Sequence, residues 1–170
     1  ADRPESVKTG RLIEELSDED PEPARKPTKL APGRLKGAVK APMPERIKPQ
    51  LATLSDKPPR GDDWLHEIKF DGYRTIAFVE NGAARLATRT GLDWTRRYGD
   101  LGQAFAALRC KQAVIDGEVV VPDERGFTHI AALQQALAEG AGSKLVFYAF
   151  DLLYLDGWDL QKVPLDRRKD

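Results

Sequence analysis

Two alternating runs joined by Asn81-Gly82 constrain this chain more than any other feature. Residues 73–80 (YRTIAFVE) and 83–88 (AARLAT) alternate apolar and polar positions, the period of a strand with one buried face. Asn-Gly suits the two-residue turn between such runs, because both central residues of that turn take positive φ. The hairpin commits the chain to antiparallel pairing and to a sheet whose apolar face needs a cover.

Other segments extend that sheet. WLHEIKF (64–70) reads as a buried strand, and QAVIDGEVVV (112–121) as another. KLVFYAFDLLYL (144–155) is a long, nearly continuous apolar run, which predicts a strand central in the sheet. Tyr98, Leu101, Phe105 and Leu108 fall at helical spacing and predict an amphipathic helix. Thr128 is placed to cap a second helix, whose Ile130, Leu133 and Leu137 share one face. Residues 122–126 (PDERG) and Asp156-Gly157 mark turns, and residues 164–170 (PLDRRKD) read as the first turn of a helix. Strands joined by hairpins and interspersed with helices predict an α+β domain with a mostly antiparallel sheet.

The first sixty residues have a different texture. They hold ten of the 12 prolines. Residues 11–20 carry five acids against one base, and residues 21–60 carry ten bases against three acids. Such a stretch buries too little apolar surface to offset the entropy of ordering. Residues 1–40 are therefore expected to form a flexible Pro-rich linker or tail, with a marginal short helix near residues 10–16 and the domain proper over 41–170. Its basic run reads as a solvated linker or as a contact for nucleic acid phosphate. IKPQLATL (47–54) is apolar enough to dock on the domain that follows.

Composition closes off several function classes. Lys plus Arg total 27 and Asp plus Glu total 27, so overall charge gives no argument for nucleic acid. The single Cys110 excludes an internal disulfide and a multi-cysteine zinc site, and suits a reducing cytosol. Only His66 and His129 are available for a histidine-based metal site. No run approaches the roughly 18 apolar residues of a membrane span, and no charged-then-apolar leader opens the sequence, so no membrane partner is expected.

The chemistry centres on Lys69. It stands where a predicted strand meets a turn, in the run Lys69-Phe70-Asp71-Gly72-Tyr73-Arg74. Burial and neighbouring cations would depress its pKa and expose a nucleophilic amine. Gly72 allows a tight turn or a close approach to a ligand. Arg74 offers a planar fork for phosphate or ribose oxygens. Taken alone, the same residues also describe a surface ion pair beside a hairpin.

KFDGYR resembles the first motif, K-x-D-G-x-R, of the covalent nucleotidyltransferases: ATP-dependent DNA ligases, RNA ligases and capping enzymes. VIDGEVVV (114–121) resembles the D-G-E strand of motif III, FYAFDLLYLDG (147–157) resembles motif IIIa, and TRTG (88–91) is similar to motif Ia. With PQLATL, WLHEIKFDGYR and TRTGLDWT, the wording is most similar to the ligase module of the bacterial ligase D type. The resemblance covers about residues 41–170. It implies the first part of a DNA-ligase-type nucleotidyltransferase (ATP-grasp-like) domain. Motifs IV, V and VI and the OB-fold domain fall outside this sequence, so a fragment with weak or absent reactivity is one expectation.

The resemblance also implies roles. Lys69 would attack the α-phosphate of ATP and hold AMP, with Mg2+ or Mn2+ as the metal. Asp71 would orient Lys69 and metal, or simply cap the turn. Glu67 would sit near the adenine amino group, and Phe150 would stack on the adenine face, although alone it reads as core. Arg74 would contact the ribose or the nick phosphate. Arg89 would bind ribose or DNA backbone, or stand as a solvated hairpin residue. Glu118 would meet a ribose hydroxyl or the metal; Asp116 shares its face, so either acid could be the structural one. The implied activity is ATP-dependent DNA ligation in double-strand break repair on nicked or broken duplex DNA, in the bacterial cytoplasm at the nucleoid. Ku and polymerase and phosphoesterase modules are the implied partners. The alternatives are an RNA ligase or capping-type transferase, and a non-catalytic DNA-binding or docking fragment.

Overall fold

A computed structural model describes residues 31–61 and 63–169 of the chain. The expected short helix near residues 10–16 lies outside the described residues. The predicted hairpin forms as strands β2 (Tyr73–Glu80) and β3 (Ala83–Thr88). Asn81 and Gly82 take φ of 50° and 82°, the paired positive values that fit the twist of the flanking strands. Strand β1 (Val39–Lys40) precedes this hairpin, and β4 (Gln112–Val120), β5 (Val146–Leu155) and β6 (Trp158–Asp159) follow it. The six strands make one sheet in the order β1-β6-β5-β4-β2-β3, with every neighbouring pair antiparallel. Among the described residues, helices α1 (Ile130–Ala138) and α2 (Leu165–Lys169) and a 3-10 segment at Gly99–Ala107 accompany it.

Alternation along the strands assigns each residue to a face. Ala77 and Val79 of β2 and Ala113, Ile115 and Val119 of β4 pack under the 3-10 segment and α1, with Leu86, Tyr98, Leu101, Phe105 and Leu133. Ile76, Phe78 and Val114 point the other way and pack with Ala87, Leu153, Tyr154, Met43 and Ile47.

Several expectations change in the structure. Residues 31–40, expected at the end of a flexible tail, are tied to the sheet. Val39 and Lys40 pair with Asp159 and Trp158, and the Ala41 amide donates to the Gly157 carbonyl at 3.0 Å. Residues 47–54 dock only in part: Ile47 joins the core, whereas Leu54 is 95% exposed. WLHEIKF forms no strand, and its Ile68 is 78% exposed. Both edges of β2 and of β4 are already taken, by β3, β4 and β5, so no internal slot remains for it. The helix expected around Tyr98–Leu108 is 3-10 rather than α, and Leu108 falls beyond its end and is exposed. Gly99 and Gly102 weaken α-helix there, while burial of Tyr98, Leu101 and Phe105 still holds the segment down. Thr128 does not cap α1. His129 occupies the N-cap, and the Thr128 hydroxyl accepts the Asp71 amide instead.

Candidate active site

The site grows from the register of β2 on β4. Arg74 stands opposite Glu118, and Ile76 opposite Asp116, so Arg74, Asp116 and Glu118 share the face away from the helices. Arg74 donates a two-pronged bond to Asp116, Nε to Oδ1 at 3.0 Å and Nη2 to Oδ2 at 2.7 Å. The Asp116 side chain is 4% exposed, and its hydrogen bond holds the Arg74 pKa above the usual arginine value. The fork expected to meet ribose or nick phosphate is thus engaged by a buried carboxylate within the protein. Of the two acids that the sequence left open, Asp116 is engaged by the fork and Glu118 is not. Burial pushes the Glu118 pKa up; Arg74, Lys69 and a bond from the Gly72 amide pull it back down.

Gly72 has to be glycine for a steric reason. A Cβ there would lie 2.2 Å from the Val119 carbonyl oxygen and 2.7 Å from a Val120 methyl. The turn preceding β2 can press against β4 only without that atom.

Just upstream, Lys69 Nζ donates to Asp71 Oδ1 at 2.5 Å. The Lys69 side chain is 85% exposed. Asp71 raises its pKa above the ordinary lysine value, chiefly through this bond, and Lys69 lowers the Asp71 pKa in return. The depressed amine expected from burial and neighbouring cations is therefore not present in the free protein: the side chain reaches into solvent, and its partner is an acid.

Strand β5 delivers the aromatic ring through an irregularity. Its register against β4 shifts between Asp116 and Gly117 and again between Val114 and Ile115. The first shift leaves Phe150 as an extra residue, so Phe150 and Asp151 both face the site; bulges recur beside functional sites for this reason. The Arg74 guanidinium lies 5.3 Å from the Phe150 ring centroid. Phe70 packs on Tyr148 at 4.6 Å, anchoring the lysine segment to the same strand.

Helix α2 completes the wall. Arg168 forks onto Asp151 at 2.8 and 2.9 Å and donates to the carbonyls of Gln161 and Val163, both at 3.0 Å. Lys169 pairs with Glu67 and donates to the Phe150 carbonyl. Together these elements enclose a cleft of about 720 Å³ lined by Glu67, Lys69, Arg74, Glu118 and Phe150, with Lys48, Asp151 and Leu153 among the others. Five of the residues expected to meet the nucleotide thus converge. Asp71 stands beside the cleft on Lys69. Arg89 does not join them: it is exposed in the turn after β3, which closes through Gly91 amide to Thr88 carbonyl at 2.8 Å.

Sequence reasoning passed over Asp151, Arg168, Lys169 and the contact made by Thr128. Only the paired bases after Pro164 carried a signal, and they read as the start of a helix. A metal finds no ready cage: among the described residues no group of three or more His, Cys, Asp or Glu could hold one. Mg2+ commonly takes one or two carboxylates together with substrate phosphates and water, a demand that Glu118 can meet from the cleft wall.

The comparisons with known proteins follow the same residues. The family model of the ATP-dependent DNA ligase domain matches residues 45–170. The chain belongs to that family. It is similar to the multifunctional non-homologous end joining protein LigD of Pseudomonas aeruginosa, with 43% identity over 168 residues, 99% of this chain and 19% of the relative. It is also similar to the bifunctional non-homologous end joining protein LigD of Bacillus subtilis, with 30% identity over 68% of this chain and 21% of the relative. The chain therefore spans about a fifth of the length of these relatives. Among solved structures, the ligase domain of Mycobacterium tuberculosis LigD superposes with a TM-score of 0.54 at 38% identity, over 61% of this chain and 33% of that one. A mycobacterial DNA ligase D complexed with ATP and MES gives a TM-score of 0.53 at 36% identity over the same shares.

Proposed function

We propose that this chain carries the nucleotide-transfer centre of an ATP-dependent DNA ligase acting in end joining. The observation that supports this most is the convergence of Glu67, Lys69, Arg74, Glu118 and Phe150 on one cleft. Its volume lies within the range of about 300–1,000 Å³ common for small-molecule sites. ATP would place its base against Phe150 near Glu67, and its phosphates toward Lys69 and the cleft's other cations.

Lys69 Nζ, once it has lost a proton, forms a bond to the α-phosphorus as the bond to the bridging oxygen breaks and pyrophosphate leaves. An oxygen of the DNA 5′-phosphate then takes the AMP from the lysine. The 3′-hydroxyl attacks that 5′-phosphate, loses its proton and releases AMP, closing the strand. Asp71 holds Lys69 before reaction, and Glu118 meets the ribose or the metal. Mg2+ or Mn2+ would neutralise charge on the phosphates. Arg89, outside the cleft, is suited to the DNA backbone. The relatives' printed names, non-homologous end joining proteins, support DNA ends over RNA as the substrate. A place at the bacterial nucleoid, with Ku and with polymerase and phosphoesterase modules, is part of the same proposal.

Incubation with α-labelled ATP and Mg2+ or Mn2+, followed by peptide mapping, tests the first step. Label is expected on Lys69 and absent in Lys69→Ala. No label on the wild-type protein either as this chain or when it is extended beyond Asp170, or label that persists in the variant, overturns the reading.

A further inference from the structure

The turn carrying Lys69 and Asp71 lies in neither helix nor strand over residues 64–72, so individual bonds set its shape. One amide in it is taken by a side chain from a distant part of the chain. The Asp71 amide donates to Thr128 Oγ1 at 2.9 Å, across 57 residues of sequence. Thr128 is itself fixed. Pro122 and Thr128 pair as an antiparallel bridge, and the Asp123 amide donates to the Phe127 carbonyl at 2.9 Å. Asp123 Oδ1 accepts the amides of Arg125 and Phe127, each at 2.9 Å. The loop after β4 is thus a bracket whose last residue reaches back to the turn.

We infer that Thr128 is a positioning residue for the lysine nucleophile: by accepting the Asp71 amide, its hydroxyl sets the turn from which Lys69 reaches the α-phosphate. This rests on the ligase reading above. The linkage has no gap, because Asp71 is held by its amide and holds Lys69 by its carboxylate. Attack at phosphorus needs reacting atoms about 3–3.5 Å apart, and a displacement of about 1 Å can slow a reaction about 100-fold. An exposed lysine on an irregular segment depends on such bracing more than one on a strand would.

Thr128→Val keeps the side-chain shape and removes the acceptor; Thr128→Ser restores it. In single-turnover labelling of Lys69 over a range of ATP concentrations, Thr128→Val is expected to lower the maximal rate about tenfold. The half-saturating ATP concentration should move less than about twofold, and Thr128→Ser should return the rate to within about twofold of wild type. Hydrogen exchange at the Asp71 amide reads the bond without ATP and should be faster in Thr128→Val and normal in Thr128→Ser. Should the valine variant fail to fold, Thr128→Ala removes the same acceptor without added bulk. Wild-type rates in the acceptor-less variant, unchanged exchange at Asp71, or a loss that serine does not restore overturn the inference alone. Wild-type protein that never labels at Lys69, even when extended beyond Asp170, overturns the ligase reading and this inference with it.

Discussion

The two faces of the sheet are made from the same strands and serve opposite ends. On the helical face, β4 presents Ala113, Ile115 and Val119, closed over by Tyr98, Leu133 and their neighbours. Even its polar atoms are paired there: Thr75 Oγ1 meets the Tyr98 hydroxyl at 3.0 Å and donates to the Tyr73 carbonyl at 2.9 Å. On the other face the intervening residues are Val114, Asp116 and Glu118, so an apolar half gives way to a charged one. Beyond Ile76 and Leu153, packed under Met43 and Ile47, the cleft opens, with Lys48, Gln50 and Leu51 in its lining. One face supplies stability through burial. The other accepts buried charge, and needs Arg74 and Arg168 to make it tolerable.

The sharpest way to break this contrast is to damage each face once. Leu86→Ala on the helical side removes a fully buried side chain and is expected to destabilise the fold by about 2–5 kcal/mol. Arg74→Ala on the cleft side leaves the buried Asp116 carboxylate without its fork, and an effect of about 3–5 kcal/mol is expected. Urea denaturation should therefore rank the two variants as near equals. Their chemistry should separate them: folded Leu86→Ala labels Lys69 at the wild-type rate, whereas folded Arg74→Ala labels poorly. Equal labelling in both would mean that Arg74 serves the sheet alone. The pair Arg74→Met with Asp116→Leu should recover much of the stability and none of the labelling.

The cleft face also contains its own contrast, between a buried ion pair and an exposed one. Arg74–Asp116 is enclosed, while Lys69–Asp71 faces solvent and is weak as a stabilising element. Under the proposed reading its effect falls on chemistry. Asp71 raises the Lys69 pKa above the ordinary 10.5, so at neutral pH the amine is protonated and the reactive fraction grows with pH. Asp71→Asn removes the carboxylate and should move the midpoint of the pH–rate profile for Lys69 labelling down toward 10.5. At a fixed pH below that value more amine is then free, even where the maximal rate falls. A profile that does not move would mean that bound ATP has already separated the pair.

What the sequence disclosed follows from how local each signal is. The Asn81-Gly82 hairpin, β4 and the Asp156-Gly157 turn depend on neighbours in sequence, and all form where expected. Motif wording singles out Lys69, Glu67, Glu118 and Phe150, and the cleft brings them together. The bulge at Phe150 was hidden because an almost unbroken apolar run has no period to interrupt. WLHEIKF read as buried because its composition is that of a strand, yet strand formation needs an open edge, which no local pattern reports. The Lys69 pKa was misjudged in sign for a related reason. Burial and charge partners are tertiary facts, and Asp71, two residues away, could equally have faced elsewhere. Thr128 to Asp71, Lys169 to Glu67 and Arg168 to Asp151 are pairings between segments far apart or newly bent toward each other.

Glu118 offers the smallest effect and the most direct test that the cleft face trades stability for chemistry. Its pKa is raised above the ordinary 4.5, mainly by burial. A group raised in this way contributes stability below its unfolded pKa and loses that contribution as pH rises through the folded value. Ionising this half-buried carboxylate as pH rises therefore costs stability, a cost that Glu118→Gln removes. The variant should melt about 2 °C higher at pH 7, and the difference should close as pH falls toward 4.5 and both side chains become neutral. Labelling of Lys69 should drop over the same neutral range. A variant less stable than wild type at pH 7 would show that attraction to Arg74 and Lys69 outweighs burial, and would make Glu118 a structural acid like Asp116. A more stable but slower variant would place the carboxylate where its charge serves the ligand rather than the fold.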